Sequence, residues 1–118
     1  ARAGLFTAGF STAVPGLDAV QSGAARVQET TADQPLVLYG HVFYARPGDR
    51  LSLTAQGPEG EIFRHELTLD DPSVQLFRAF GRKAPAAGWP AGAYRGYVRL
   101  MRGGTLLAVR HADITVTP

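Results

Sequence analysis

From residue 24 onward the apolar residues come in short runs of Val, Leu, Phe, Tyr and Thr, divided by clusters of Gly, Pro and Asp. The runs recur at roughly the 8 to 12 residue spacing of strands in a sandwich, and within them apolar and polar positions alternate. On an extended chain such alternation sends one set of side chains to each face, so a run can bury one side and wet the other. The pattern predicts seven strands, at 25–31, 36–45, 50–56, 61–69, 74–80, 93–101 and 105–117. Leu51, Leu53 and Ala55 fall inward against Arg50, Ser52 and Thr54; Tyr94, Val98 and Leu100 fall inward against Arg95, Tyr97 and Arg99.

Two runs depart from simple alternation. Residues 36–45, LVLYGHVFYA, are apolar in both phases, as expected of a central strand covered on its second side. In 105–117 the inward set shifts from Leu107 and Val109 to Ala112, Ile114 and Val116, which predicts a bulge near Arg110 or His111. Among the connections, Arg46-Pro47-Gly48-Asp49 sets Pro before Gly as a type II turn requires, and a hairpin is expected there. Gly57-Pro58-Glu59-Gly60 and Arg102-Gly103-Gly104 predict two more hairpins, the second making the last two strands antiparallel neighbours. Together these features predict an all-β fold, an immunoglobulin-like antiparallel β-sandwich of about seven strands over 24–118.

Residues 1–23, ARAGLFTAGFSTAVPGLDAVQSG, are rich in Ala and Gly with isolated apolar anchors. They are expected to be a linker or the tail of an upstream domain, with an added edge strand of the sandwich as the alternative. A short helix fits 15–22, where Pro15 suits a first turn, Asp18 the positive end of the helix dipole and Gly23 a C-terminal cap. This segment is also the nearest candidate to cover strand 36–45.

With 45% apolar residues in 118, one continuous core in one domain is the expectation. Twelve basic residues, all Arg except Lys83, stand against 10 acidic ones for a net charge of +2, without the concentrated excess that neutralising several phosphates demands. Nucleic acid is therefore not an expected partner. The absence of Cys removes disulfides, thiolate zinc sites and thiol catalysis. No apolar stretch approaches the ~20 residues of a membrane-spanning helix, and a chain beginning at Ala1 is expected to be a processed product or a piece of something longer.

The search for chemistry is sparse. His41, His65 and His111 lie singly on three predicted strands, without the H-x-H or H-E-x-x-H spacing that brings two imidazoles to one metal ion. Ser11, Ser22, Ser52 and Ser73 lack a nucleophile-elbow context, Asp70-Asp71 before Pro72 reads as a turn, and no glycine motif suits a phosphate. Neither a catalytic residue nor a cofactor is indicated. Two constellations remain as ligand-binding candidates. Arg95, Tyr97 and Arg99 form an outward stripe, extended across the hairpin by Arg110, suited to stacking sugar rings or gripping carboxylates. Arg82 and Lys83, with Trp89 in a Gly/Pro loop, form a second edge; the competing expectations are a solvated strand face for the first and a plug on one end of the core for Trp89.

Asp33-Gln34-Pro35-Leu36 through Val116, with Pro47-Gly48-Asp49, Gly57-Pro58-Glu59-Gly60-Glu61 and Trp89-Pro90-Ala91-Gly92-Ala93-Tyr94-Arg95, resembles the C-terminal Ig-like domain that follows the zinc catalytic domain in some bacterial M23-type peptidoglycan endopeptidases. Gly4-Leu5-Phe6-Thr7-Ala8-Gly9-Phe10 is similar to the segment joining the two domains in such proteins. The resemblance implies export to the periplasm or beyond, an upstream catalytic domain in the same parent chain, and peptidoglycan as a partner. It carries over no catalytic or metal residue, because the family's H-x-x-x-D and H-x-H elements have no match here. The expected function is that of a non-catalytic accessory domain orienting or anchoring a cell-wall hydrolase. The alternative is a specific glycan- or peptide-binding module, which exposure of Trp89 or Tyr97 would favour; an independent enzyme would need a pocket of converging polar groups.

Overall fold

The computed structural model describes residues 2–118. The alternating runs become strands β2 (Glu29–Thr31), β3 (Leu36–Ala45), β4 (Arg50–Gly57), β5 (Gly60–Thr68), β6 (Ser73–Arg82), β7 (Gly92–Arg102) and β8 (Thr105–Thr117), preceded by β1 (Gly4–Ser11) and α1 (Leu17–Ser22). They form two sheets, one ordered β1-β3-β6 and one ordered β2-β8-β7-β4-β5, antiparallel throughout except where β2 runs parallel to β8. This is an immunoglobulin-like sandwich of eight strands.

Leu36, Leu38 and Val42 of β3 share one core with Leu51, Leu53 and Ala55 of β4, Tyr94, Val98 and Leu100 of β7, and Ile114 and Val116 of β8. At Gly96 the facing sheet leaves no room for a side chain: a Cβ would lie 2.6 Å from Leu38 Cδ1 and 3.0 Å from Phe10 Cζ. At the entry to β7 the buried Tyr94 hydroxyl donates to the Pro90 carbonyl at 2.6 Å, four residues upstream, the tyrosine corner of Greek-key sandwiches. A Tyr94→Phe variant is expected to fold yet lose about 1–2 kcal/mol, since one buried acceptor loses its donor. Urea unfolding measures this; an unchanged midpoint would show the corner to be energetically idle.

Several expectations need correction. Residues 4–11 are not linker but the edge strand held as the alternative: β1 pairs with β3 and sends Leu5, Ala8 and Phe10 into the core, so the sandwich begins there rather than at 24. A bulge between Leu5 and Thr7 shifts the phase of the apolar residues, and Gly4 and Gly9 lie under the rings of Phe43 and Tyr39, so the run lacks the bulky alternation that marks the other strands. The helix begins at Leu17 rather than 15 and ends on Gly23 in the left-handed conformation, φ 82°. Of the strand expected at 25–31 only Glu29–Thr31 forms, because the residues before it bridge the two sheets: Val27 N–H reaches the Phe10 carbonyl and Thr115 N–H the Gln28 carbonyl.

The Arg46–Asp49 turn forms, with Gly48 at φ 91° and Asp49 N–H donating to the Arg46 carbonyl at 3.0 Å, but it does not close a hairpin. Both edges of β3 are occupied, by β1 and β6, so β4 crosses to the other sheet. The β4–β5 and β7–β8 hairpins form as expected. The bulge of β8 falls at Leu107, where the register jumps from Leu100↔Ala108 to Met101↔Leu106, not at Arg110 or His111, and Val109 is therefore outward and exposed.

Candidate functional site

Arg95, Tyr97 and Arg99 align on the outer face of β7, where they sit opposite Asp113, His111 and Val109 of β8 and Gln56, Thr54 and Ser52 of β4. Arg110 does not join them: it lies opposite Val98, in register with the other face. Arg95 Nε donates to Asp113 Oδ1 at 2.7 Å, and this pairing with Asp113, together with Tyr97, raises the guanidinium pKa. Both members are about half exposed, so the pair adds little stability. The Arg99 guanidinium lies 4.7 Å from the centre of the Tyr97 ring and donates to Thr54 Oγ1 at 3.3 Å, which explains why the outward-facing Thr54 is buried. The stripe is thus a set of half-exposed cations already engaged with their neighbours.

The second constellation divides. Trp89 is only 4% exposed, its indole N–H donates to the Gln34 carbonyl at 2.8 Å, and its ring meets Tyr94 edge-on at 6.1 Å. Arg82 lies over that ring at 5.7 Å and donates to the Ile62 carbonyl at 2.8 Å, tying β6 to β5 across the sheets, while Lys83 is exposed. Trp89 is therefore a plug at one end of the core, and the shallow cleft beside it takes in Arg82 but no residue of the stripe.

A different surface lies on the outer face of the three-stranded sheet. The apolar second phase of β3 is covered there by α1, with Val20 and Ala25 buried against Tyr39. The cover stops at His41. Beyond the end of the helix an open cleft of about 510 Å³ is lined by Phe6, Thr7, Gln21, Ser22, His41 and Gln75, among others, and no charged side chain contributes to it. His41 is 5% exposed and its Nε2 lies 3.1 Å from Gln75 Oε1, which also accepts from Gln21 Nε2 at 3.2 Å. An amide oxygen can only accept, so Nε2 of His41 is the donor in this contact. Phe6 is 57% exposed, with its ring 4.9 Å from that of His41 and 4.3 Å from that of Phe43.

The apolar surface continues along the same sheet. Phe43 meets Tyr44 edge-on at 5.9 Å, and Tyr44 and Val74 line a neighbouring depression. Tyr44 has φ 52°, an unusual conformation for a bulky residue. There the inward–outward phase of β3 slips, leaving the tyrosine ring exposed and Ala45 buried. Exposed apolar side chains, Phe6, Tyr44 and Val74, thus gather toward one end of β1, β3 and β6.

No protein-family model matches the chain, and no curated protein is similar to it. Among the described residues no three His, Asp or Glu side chains gather as metal ligands would, and no helix is long and apolar enough to cross a membrane. The doubly apolar pattern of β3 pointed to a covered outer face, but not to the cleft. Gln21 and Gln75 are 54 residues apart, and only the docking of α1 brings their amides together.

Proposed function

We propose that this chain is a non-catalytic accessory domain of an exported cell-wall hydrolase, one that anchors or orients a catalytic domain of the same parent protein on peptidoglycan in the periplasm or outside the cell. The observation that carries this reading is the group of exposed apolar side chains, Phe6, Tyr44 and Val74, toward one end of the three-stranded sheet, which is the character of a contact surface. Two carboxylates, Asp49 and Asp113, are engaged in pairs with Arg102 and Arg95. The kind of enzyme comes from the resemblance to the Ig-like domain of M23-type endopeptidases. For a ligand module built on Arg82, Lys83, Trp89, Arg95, Tyr97 and Arg99, the burial of Trp89 removes one of its two supports.

Co-sedimentation of the purified chain with insoluble peptidoglycan sacculi tests the proposal. Retention at physiological salt is expected, weakened in a Tyr44→Ser/Val74→Ser variant and unchanged in Arg95→Ala/Arg99→Ala. A wild-type chain that stays in the supernatant, or is retained only at low salt, overturns wall anchoring.

A further inference from the structure

We infer that the cleft beside the C-terminal end of α1 is a binding site for a neutral sugar, with Phe6 as the stacking platform and Gln21, His41 and Gln75 as the polar contacts. No charged side chain lines it, and Arg26, which stands at its Thr7 edge, is engaged by Thr7 Oγ1 at 2.8 Å and the Ala8 carbonyl at 2.9 Å, so the lining itself asks for a neutral ligand. The apolar component is the exposed Phe6 ring, braced against Phe43 and His41 and offering a π face to the C–H face of a pyranose.

The polar component is already oriented. Gln75 Oε1 holds His41 and Gln21 in one chain of hydrogen bonds, which leaves Gln75 Nε2 as a donor and Gln21 Oε1 as an acceptor for a ligand. Such a mixed neutral set suits hydroxyls, which donate and accept at once, and an acetamido group, which does the same through its N–H and carbonyl. A volume of about 510 Å³ lies within the range of small-ligand pockets. The cleft opens on a sheet face and not along a strand edge, so it offers no backbone ladder to an extended peptide. The choice of an N-acetylated hexosamine within the neutral sugars rests on the cell-wall reading above.

The test is a titration of the isotope-labelled chain, followed by amide NMR, with chitotriose, with cellotriose, which lacks the acetamido groups, and with a capped neutral tripeptide. Saturable shifts are expected with chitotriose at the side-chain amides of Gln21 and Gln75 and at the backbone of Phe6 and His41. Affinity is expected to fall about tenfold in Phe6→Ala, equivalent to about 1.4 kcal/mol, and to fall also in Gln75→Ala. Both side chains are exposed, and an unchanged thermal midpoint verifies that these variants fold.

No saturable shift at millimolar chitotriose, shifts confined to the Arg95–Arg99 face, or a response to the tripeptide alone overturns the site. The sacculus experiment separates the two proposals. Retention on sacculi with an unresponsive cleft leaves the wall-anchoring reading standing without the site, whereas chitotriose in the cleft without retention leaves the site standing without the wall.

Discussion

Replacing Trp89 with Ala is expected to remove about 3–5 kcal/mol of stability, the range for a large aromatic side chain cut out of a core. Against a total of about 5–15 kcal/mol for a domain, that is a large share, and the melting temperature is expected to fall by about 10–25 °C. The effect has several sources that vanish together. The ring closes the end of the core against Tyr94, its N–H satisfies the Gln34 carbonyl, and its face carries the Arg82 guanidinium. The backbone N–H of Trp89 bonds the Ala32 carbonyl at 2.9 Å, so the residue also fixes the β6–β7 connection to the segment before β3. As Trp89 is the single tryptophan, fluorescence excited selectively at the indole, beyond the absorption of the four tyrosines, reports on this site alone, and emission at the short wavelength of a buried indole is expected. Calorimetry on the variant checks the magnitude; a loss below about 1 kcal/mol, or emission typical of an exposed indole, would contradict the plug.

The second large effect is expected at Asp49. Its carboxylate is 1% exposed and takes a two-pronged contact from Arg102, Nε to Oδ1 at 2.8 Å and Nη2 to Oδ2 at 2.9 Å, with the Arg46 N–H donating to Oδ2 at 2.9 Å. The Asp49 carbonyl meanwhile accepts from Leu69 N–H at 2.8 Å. One side chain thus clasps the crossover turn to the end of β7. The hydrogen bonds from Arg102 hold the Asp49 carboxyl below its ordinary 3.8 despite its burial, and the Arg46 amide adds to the lowering.

A folded-state value below the unfolded one contributes stability that is fully present above the unfolded pKa and is lost as pH falls through the folded one. Asp49→Asn is expected to cost about 2–3 kcal/mol at neutral pH, less than the usual cost of breaking a fully buried pair because a third of the Arg102 side chain remains in water. The difference between wild type and variant is expected to begin shrinking as the pH drops below about 4, where the carboxyl of the unfolded chain takes up its proton, and to be lost once the folded-state carboxyl, held lower, is protonated too. Chemical unfolding at a series of pH values measures both; a difference independent of pH would mean that shape, and not charge, carries the clasp.

The main strands were legible because each buries one face, and burial on a pleated strand writes itself into the sequence as period two. Leu51, Leu53 and Ala55, or Tyr94, Val98 and Leu100, were assignable for that reason, as were the hairpins at Gly57–Gly60 and Arg102–Gly104, whose geometry is local. β1 was legible only as the alternative of an added edge strand, because a bulge breaks its period and glycine replaces side chains where the rings of Tyr39 and Phe43 pass over it. Local turn chemistry at Arg46–Asp49 was equally right and insufficient. A type II turn fixes the reversal of the chain but not the sheet that the next strand joins, which depends on β1 and β6 having occupied both edges of β3.

The same division holds for function. By itself the sequence determined the sandwich class, the lack of catalytic spacings and the alignment of Arg95, Tyr97 and Arg99 on one face, all of which follow from neighbours along the chain. Only the tertiary structure decided that Trp89 is core and that Arg110 faces away from the stripe. It alone placed Phe6, Gln21, His41 and Gln75 around one cleft. Those residues come from β1, α1, β3 and β6, and side chains on four separate elements converge only when burial of apolar surface packs α1 onto the sheet.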